Sequence, residues 1–332
     1  MKLSLAIATY NEELNIADCI VSCKGLVDEI IVVDGSSTDK TGELALNTGA
    51  TVIRTQNERM FHINKQKAID ACTGEWILQL DADERVTSEL AEEVKKIIRM
   101  TNEEIEVYQN NLKEKELFKR HQRLVQKYVI ASDSEAIPSK KIAASPIAPR
   151  NDTAHYNAFF IPRLNYFLGG YLRYGGVYPD GVIRLIRKGK AHLPCKDIHE
   201  LMEVEGKTGW LANPLIHKDS PTFKRYLERN SRYIDHLVVE LKKCHPRGGG
   251  DPASNLQIQN SNFTLDSRVR GNDTAEKNIY LFLNWVIIKP ISTFLSLLIR
   301  HKGILDGWRG LVFAFFSAIR FARAYFRYTM RG

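Results

Sequence analysis

Short apolar runs and amphipathic stretches alternate over the first hundred residues. Aliphatic and β-branched runs typical of buried strands occupy residues 3–8, 28–35, 51–55 and 75–83. Between them, apolar residues recur at helical spacing, with Ser, Thr or Asp before and Gly after several stretches. The predicted helices are residues 11–26, 38–49, 63–74 and 88–100, the last with Ser88 as its N-cap. Strands that alternate with helices predict an α/β fold with a mostly parallel sheet.

The pattern changes after residue 100. A charged stretch with weak amphipathicity predicts a helix over residues 103–129, and strand-like signals return at 158–176 and 181–189. A further amphipathic helix is predicted over residues 222–243. Together these signals extend the α/β domain and then lead into a helical C-terminal region.

Two segments, residues 130–154 and 244–277, are rich in small, polar or turn-forming residues and show little periodicity. They have nearly the same ending, "RNDTA" in the first and "RGNDTA" in the second. Both resemble translated copies of the short palindromic repeats of some bacterial genomes. We expect both to be tolerated surface insertions; the alternative is that they are functional loops of the family.

The C-terminal tail combines a long apolar stretch with a row of arginines. Residues 278–303 are long enough to span a bilayer, but Lys289 and Pro290 near the middle disfavour a clean span. On a helix over residues 304–332, five arginines lie on one side: Arg309, Arg320, Arg323, Arg327 and Arg331. This basic stripe on an aromatic-rich helix suits the surface of an anionic leaflet. The alternatives are a true span and an ordinary helix packed on the domain with its arginines in solvent.

The charge distribution and the cysteine content indicate the kind of partner and the cellular compartment. The net charge is +8, but residues 1–100 carry 11 Lys and Arg against 17 Asp and Glu, whereas residues 278–332 carry 8 against Asp306 alone. The basic tail favours an anionic membrane surface, and without a recognised motif we expect no nucleic-acid partner. The five cysteines form no zinc-like pairs and predict reduced thiols in a cytosolic compartment. The N-terminus reads as a first strand, and we expect no signal peptide.

Polar clusters follow three of the predicted strands. Carboxyl ends of parallel strands meet along one edge of a sheet, so these clusters are expected to share a crevice. Their members are Thr9, Asn11, Glu12, Asp34, Ser36, Asp81 and Asp83. The cluster "DADE" at residues 81–84 has three interpretations: carboxylates that hold a divalent cation, caps of the following turn, or structural partners of Lys or Arg.

Three motifs together resemble family 2 glycosyltransferases of the GT-A fold. They are "IATYNEELNI" (7–16), "VDEIIVVDGSSTDKT" (27–41) and "ACTGEWILQLDADERV" (71–86). Further on, "RLNYFLGGYLRYGGVYPDGVIRLIRKGKA" (163–191), "IHE" (198–200) and "GILDGWRGLVFAF" (303–315) resemble the bacterial glucosyltransferases that build the lipopolysaccharide core. The resemblance implies a Rossmann-like GT-A domain over residues 1–220 and a membrane-associating helical region over 221–332.

The resemblance also implies roles for individual residues. Asp34 would hold the uracil or ribose and Asp81 the ribose or sugar, while Asp83, with Asp81, would bind Mg²⁺ or Mn²⁺ that bridges the diphosphate. The rest of the nucleotide-sugar site would be Thr9, Tyr10, Asn11, Glu12, Gly35 and Ser36. For the general base the sequence has "DIHE" where many relatives have an "ED"-like motif, so Glu200 is the first candidate and Asp197 and Asp180 are reserves. His199 would orient the base or bind the diphosphate, or is simply structural.

The implied activity is inverting transfer of a hexose from a nucleotide-sugar, UDP-hexose first, to a lipid-linked or lipopolysaccharide-core glycan. The expected location is the cytoplasmic face of the bacterial inner membrane, with peripheral attachment. Two alternatives remain: a polyprenyl-phosphate glycosyltransferase, and a non-catalytic membrane-bound scaffold with a decayed transferase fold. A sugar nucleotidyltransferase is disfavoured because the first strand is not followed by a glycine-rich phosphate loop. Arg184 and Arg187 could meet an anionic acceptor or be solvated residues of a strand face.

Overall fold

The apolar runs of the first hundred residues become neighbouring strands of one sheet in the computed structural model, which describes residues 1–123, 155–195, 201–244 and 279–330. The strands are β1 (Leu3–Thr9), β2 (Glu29–Asp34), β3 (Thr51–Arg54), β4 (Trp76–Leu80), β5 (Glu84–Arg85), β6 (Tyr156–Ile161), β7 (Arg163–Phe167), β8 (Gly170–Leu172), β9 (Val182–Arg187), β10 (Ala191–His192), β11 (Glu203–Val204), β12 (Lys207–Trp210) and β13 (Leu215–Ser220). The labelled helices are α1 (Ile16–Ser22), α2 (Thr41–Asn47), α3 (Phe61–Ala71), α4 (Ser88–Ile97), α5 (Asn102–Asn110), α6 (Phe223–Cys244), α7 (Ile279–Arg300) and α8 (Trp308–Met330).

The main sheet has the strand order β12-β6-β9-β4-β1-β2-β3. Strands β4, β1, β2 and β3 are parallel, and β9 is antiparallel to both β4 and β6. All five residues of β4 are buried, as expected for a central strand covered on both faces. This mostly parallel sheet with helices confirms the predicted α/β fold class. A second sheet, β5-β13-β7-β8, brings later strands next to the residues that follow β4.

The chain divides into two compact units. Unit 1 consists of Met1–Arg173 and Val177–Asp219, and unit 2 of Tyr174–Gly176 and Ser220–Gly332. In unit 1, apolar residues of α1, α4 and the central strands form the largest core cluster. In unit 2, α6, α7 and α8 share a smaller core around Ile234, Trp285 and Ala324.

Several predicted helix boundaries were wrong by one to five residues. Helix α1 begins at Ile16, because the chain first turns at Asn11, which has a φ of 54°. The N-cap of α4 is Thr87, whose side chain accepts a hydrogen bond from the amide of Leu90; Ser88 is the first helical residue. The helix predicted over residues 103–129 is interrupted after α5, at the consecutive asparagines 110 and 111, and residues 115–123 are helical again.

The two segments predicted as insertions, 130–154 and 244–277, fall almost wholly outside the described residues, so their assignment stays a prediction. In the C-terminal region, α7 is long and apolar enough to cross a membrane, with a mean hydropathy of 1.7 over its most apolar window and only 6% of that window buried.

Candidate active site

The loops that follow β1 and β2 are joined at the carboxyl edge of the sheet. Thr9 pairs with Asp34 in the strand register, so both strands end at the same level. Oδ1 of Asp34 accepts hydrogen bonds from the amide of Ser37 at 3.1 Å and from its hydroxyl at 2.5 Å. Oδ1 of Asn11 accepts from the amide of Thr38 at 2.8 Å. These bonds fix the two loops against each other and hold their polar side chains along the edge.

Asp34 and Thr9 are both buried at this edge. The hydroxyl oxygen of Thr9 has no hydrogen-bond partner among the described residues. A buried hydroxyl without a partner costs free energy, so this position fits a site in which a ligand supplies the partner. On the other side of Asp34, a Cβ at Gly42 would come within 3.2 Å of its Oδ2, so glycine at residue 42 leaves room for this carboxylate.

The other residues predicted near the nucleotide have individual roles in the loops. Tyr10 is exposed. The carboxylate of Glu12 accepts a hydrogen bond from Asn15 at 2.7 Å. Ser36 has a φ of 62° and donates its hydroxyl to the carbonyl of Thr55 at 2.7 Å. Gly35 lies against the neighbouring chain, where an added Cβ would be 3.3 Å from Cα of Asn57.

Asp81, the first aspartate after β4, is held by two cations. Its Oδ2 lies 2.6 Å from Nη2 of Arg184, and its Oδ1 lies 2.6 Å from Nζ of Lys65. Burial by itself raises the pKa of Asp81, but Arg184 and Lys65 outweigh it and hold the pKa well below its usual range. Asp81 is therefore an oriented, ionised carboxylate with its charge already matched by protein cations.

Arg184 is the centre of this network. It lies on β9, which pairs antiparallel with β4, so its side chain meets Gln79 and the acidic turn, as we call residues 81–84. Its Nη2 also lies 2.8 Å from Oε1 of Glu84, which is completely buried. Burial lowers the pKa of Arg184, but the two carboxylates more than compensate and raise it. Arg184 is thus neither a solvated strand-face residue nor free to meet an anionic acceptor, contrary to both sequence interpretations.

Arg187 and Glu84 both make structural contacts in this part of the sheet. Arg187 lies over the ring of Trp76, 5.0 Å from its centroid, and is partly exposed next to Glu75, as a strand-face residue would be. Glu84 accepts a hydrogen bond from the amide of Asp81 at 3.0 Å. Capping of the turn and structural ion pairing therefore both describe Glu84.

Asp83 has different surroundings from Asp81. Its Oδ2 lies 3.6 Å from Nε2 of His217, and its carbonyl accepts the amide of Lys218 at 2.8 Å. Nε2 of His217 also lies 3.9 Å from Oδ1 of Asp219. The pairing of β13 with β5 produces this arrangement, because His217 lies opposite Glu84 in the register. The sequence interpretation missed His217, although its position directly after the apolar residues Leu215 and Ile216 was a signal.

Asp180 belongs to the same region but is tied to Arg163. The two side chains lie 2.9 Å apart, and Asn165 donates a further hydrogen bond at 3.2 Å. Burial raises the pKa of Asp180, but Arg163 and Asn165 lower it below its usual value. A carboxylate with a lowered pKa is a weaker proton acceptor, which makes Asp180 the poorer candidate for a general base.

Three predicted catalytic residues, Asp197, His199 and Glu200, lie outside the described residues, and so does Arg331. In unit 2, Arg320 lies over the ring of Tyr233, 5.5 Å from its centroid. Arg327 lies 2.6 Å from Asp235. The membrane role predicted for these arginines stays a prediction.

The first half of the chain is similar in sequence to known glycosyltransferases. Residues 4–159 match the model of glycosyl transferase family 2. An uncharacterized glycosyltransferase of Rickettsia typhi is 40% identical over 103 residues, which cover 31% of this chain and 35% of that protein. The lipopolysaccharide core biosynthesis glycosyltransferase LpsC of Rhizobium meliloti is 33% identical over 107 residues, 31% of this chain and 39% of LpsC. The matched stretch thus spans little more than a third of these relatives.

Among solved structures, glucosyl-3-phosphoglycerate synthase from Mycobacterium tuberculosis, in complex with Mn²⁺, UDP and glucosyl-3-phosphoglycerate, aligns at 29% identity. The alignment covers 25% of this chain and 34% of that one, and its TM-score of 0.23 is too low to relate the two structures as wholes. The family model covers the strands and loops that build the acidic edge, and the glycosyltransferase relatives share part of the same sequence. Residues 4–159, a little under half of the chain, are therefore similar to glycosyl transferase family 2.

Proposed function

We propose that the protein is an inverting glycosyltransferase that moves a hexose from UDP-hexose to a lipid-linked or lipopolysaccharide-core glycan at the cytoplasmic face of the inner membrane. The observation that carries the proposal is the placement of Thr9, Asp34, Asp81 and Asp83 along one carboxyl edge of a domain that matches family 2. Ligands of open α/β sheets bind in the crevice at this edge.

In the proposed complex, the nucleoside lies over the ends of β1 and β2. Thr9 and Asp34 supply buried polar groups for the base and ribose, and the loop at Asn11 closes over them. Asp81 contacts the ribose or the sugar from a fixed orientation, because Arg184 and Lys65 hold both of its oxygens. A carboxylate that is already oriented loses little conformational entropy when it binds a sugar hydroxyl.

The residues present fit a divalent cation at Asp83. Asp83 and His217 offer one carboxylate and one imidazole within 3.6 Å of each other. Mg²⁺ commonly takes one or two protein carboxylates and completes its shell with substrate phosphate oxygens and water. Bound there, Mg²⁺ or Mn²⁺ would neutralise the charge that develops on the leaving diphosphate.

In the transfer step, the acceptor hydroxyl oxygen forms a bond to the anomeric carbon as the bond from that carbon to the diphosphate oxygen breaks. The bonding electrons leave with the nucleoside diphosphate, and the hydroxyl proton passes to a general base. Glu200 remains the first candidate for that base, with Asp197 as a reserve, since Asp180 is committed to Arg163. Attack from the face opposite the leaving group inverts the configuration.

The acceptor and location are proposed on separate grounds. LpsC, which is named for lipopolysaccharide core biosynthesis, is 33% identical over 31% of this chain. The C-terminal region carries an apolar helix and a strong excess of positive charge, which favour an anionic membrane surface. A lipid-linked acceptor would be concentrated at such a surface.

The activity test measures UDP release from UDP-hexoses with Mn²⁺, with and without lipopolysaccharide-core or polyprenyl-phosphate acceptors. We expect acceptor-dependent release by the wild type, with at least a hundredfold loss in Asp83→Asn. The matched control is Asp70→Asn, the same chemical change at an exposed carboxylate on α3, which should retain full activity. Equal rates in Asp83→Asn and wild type would contradict the proposed role of Asp83, and folded protein without release from any nucleotide-sugar would favour the scaffold alternative.

A further inference from the structure

One side of α7 is an apolar surface that the described residues of unit 2 leave exposed. Five large aliphatic residues there are between 42% and 70% exposed: Ile287, Ile288, Ile291, Leu295 and Ile299. Most follow one another at a spacing of four residues, which keeps them along one side of a helix. We call these five residues the α7 ridge. An exposed apolar surface of this length marks an interaction site.

The opposite side of α7 is already used by unit 2. Trp285 is buried and packs edge-on against Phe321 of α8, with 5.8 Å between ring centroids. Leu281 and Trp285 also belong to the core formed with Ile234 and Val238 of α6. The α7 ridge is therefore the face of α7 that the described residues of α6 and α8 leave exposed.

The residues next to the ridge are cationic and aromatic, and they complement an anionic lipid headgroup layer. Helix α7 contains no Asp or Glu, and it ends at Arg300, followed by Lys302. At the start of α8, Trp308 is 54% exposed, and the guanidinium of Arg309 lies 4.8 Å from the centroid of its ring. Cationic and indole side chains beside an apolar face are typical of helices at the surface of an anionic bilayer.

We propose that the α7 ridge is a monotopic membrane anchor, immersed in one leaflet with α7 parallel to the bilayer plane and with the basic turn at residues 300–309 against anionic headgroups. This inference deepens the membrane association of the proposed function by assigning the surface that makes it.

The charges packed around α7 exclude a transmembrane orientation. Nζ of Lys289, at the middle of α7, lies 3.6 Å from the ring centroid of Trp285 and 5.7 Å from that of Phe321. The neighbouring Arg320 therefore lies close to the level of the middle of α7. If α7 crossed the bilayer, Lys289 and Arg320 would both lie in the hydrocarbon, where each charge is strongly unfavourable. An in-plane helix immerses the ridge and keeps those charges on the aqueous side.

The arginine stripe of α8 is a poorer candidate for the main contact. Burial lowers the pKa of Arg320, whose side chain is packed against α6, and Arg327 is paired with Asp235. Among the described residues, Arg323 is the member of the stripe that is classed as exposed rather than partly buried. Arg309 belongs to the basic turn and contributes there.

The test is flotation of the full-length protein with phosphatidylcholine vesicles, with and without phosphatidylglycerol. The double variant Ile291→Glu, Leu295→Glu should lose at least tenfold in partitioning onto anionic vesicles, since each lost aliphatic burial alone accounts for about that factor. The matched control is Val239→Glu, an equally exposed aliphatic residue on α6, which should bind like the wild type. Arg323→Gln should change binding by less than threefold.

Unchanged vesicle binding of the double variant would contradict the proposal that the α7 ridge is the anchor. A large loss of binding in Arg323→Gln, with the ridge intact, would show instead that the arginine stripe of α8 makes the main membrane contact. A wild type that binds neither vesicle would overturn both the anchor and the proposed membrane association. UDP binding, measured in parallel, reports on the transferase proposal independently of these outcomes. Depth quenching of a fluorophore at Ile279→Cys or Ile299→Cys tests orientation: similar shallow depths support the in-plane helix, and opposite leaflets overturn it.

Discussion

The clearest energetic prediction concerns Arg184→Met. This change removes the guanidinium that meets Gln79, Asp81 and Glu84 while keeping most of the side-chain volume. Among the described residues, Glu84, which is completely buried, would then keep Arg163 at 3.5 Å as its remaining cationic partner. Removing one partner of a buried ion pair leaves an uncompensated charge and typically costs about 3–5 kcal/mol. This is a large share of the roughly 5–15 kcal/mol by which a domain is stable.

The assay is urea unfolding of unit 1, followed by the fluorescence of its buried tryptophans, Trp76 and Trp210. We expect the free energy of unfolding to fall by about 3–5 kcal/mol in Arg184→Met. The control is Arg187→Met on the same strand, whose partner Glu75 is 3.8 Å away and half-exposed, so the loss should be about 1 kcal/mol.

A double variant distinguishes the effect of the uncompensated Glu84 carboxylate from the effect of packing lost at Arg184. Adding Glu84→Gln to Arg184→Met removes the uncompensated carboxylate and should restore part of the stability. The reasoning is refuted if Arg184→Met costs less than about 1 kcal/mol, or if Glu84→Gln makes the double variant less stable than the single one.

The remaining predictions concern pH, packing and the insertions. Although burial raises the pKa of Glu29, hydrogen bonds from Ser4 and Thr73 lower it to about 2, so its stabilisation is complete above pH of about 4.3 and is lost as the pH falls toward 2. Glu29→Gln should flatten that part of the stability curve in acid titration. Gly74→Ala should destabilise the domain by about 1–3 kcal/mol in urea unfolding, because its Cβ would lie 2.5 Å from Oγ of Ser4 and 2.8 Å from its amide nitrogen. Deleting residues 130–153 or 245–275 should leave soluble, active protein, and loss of either property would contradict their assignment as insertions.

The acidic edge was predictable because it depends on local patterns and one general rule. The apolar runs before Asp34 and Asp81 predicted parallel strands, and parallel strands bring their carboxyl ends together. The register between β1 and β2 then places Thr9 beside Asp34, as the sequence indicated.

The partners of the acidic turn could not be predicted in the same way. Arg184 and His217 come more than a hundred residues later in the chain, on strands β9 and β13. Their approach depends on the antiparallel pairing of β9 with β4 and of β13 with β5. In sequence, a buried arginine in "VIRLIR" has the same alternation as a solvated one, so only the tertiary structure separates Arg184 from Arg187. The same limit applies to the arginines of α8, whose helical spacing says nothing about which neighbour they meet.

The most direct test of the proposed nucleotide-sugar site is a thermal-shift titration with UDP, with and without Mn²⁺, on the wild type and Asp83→Ala. A ligand raises the melting temperature only if it binds the folded state more tightly than the unfolded chain. We predict a UDP-dependent rise that requires Mn²⁺ and disappears in Asp83→Ala. Folded protein that shows no shift with UDP or other nucleoside diphosphates, or a Mn²⁺-dependent shift that is equal in Asp83→Ala, would contradict the account.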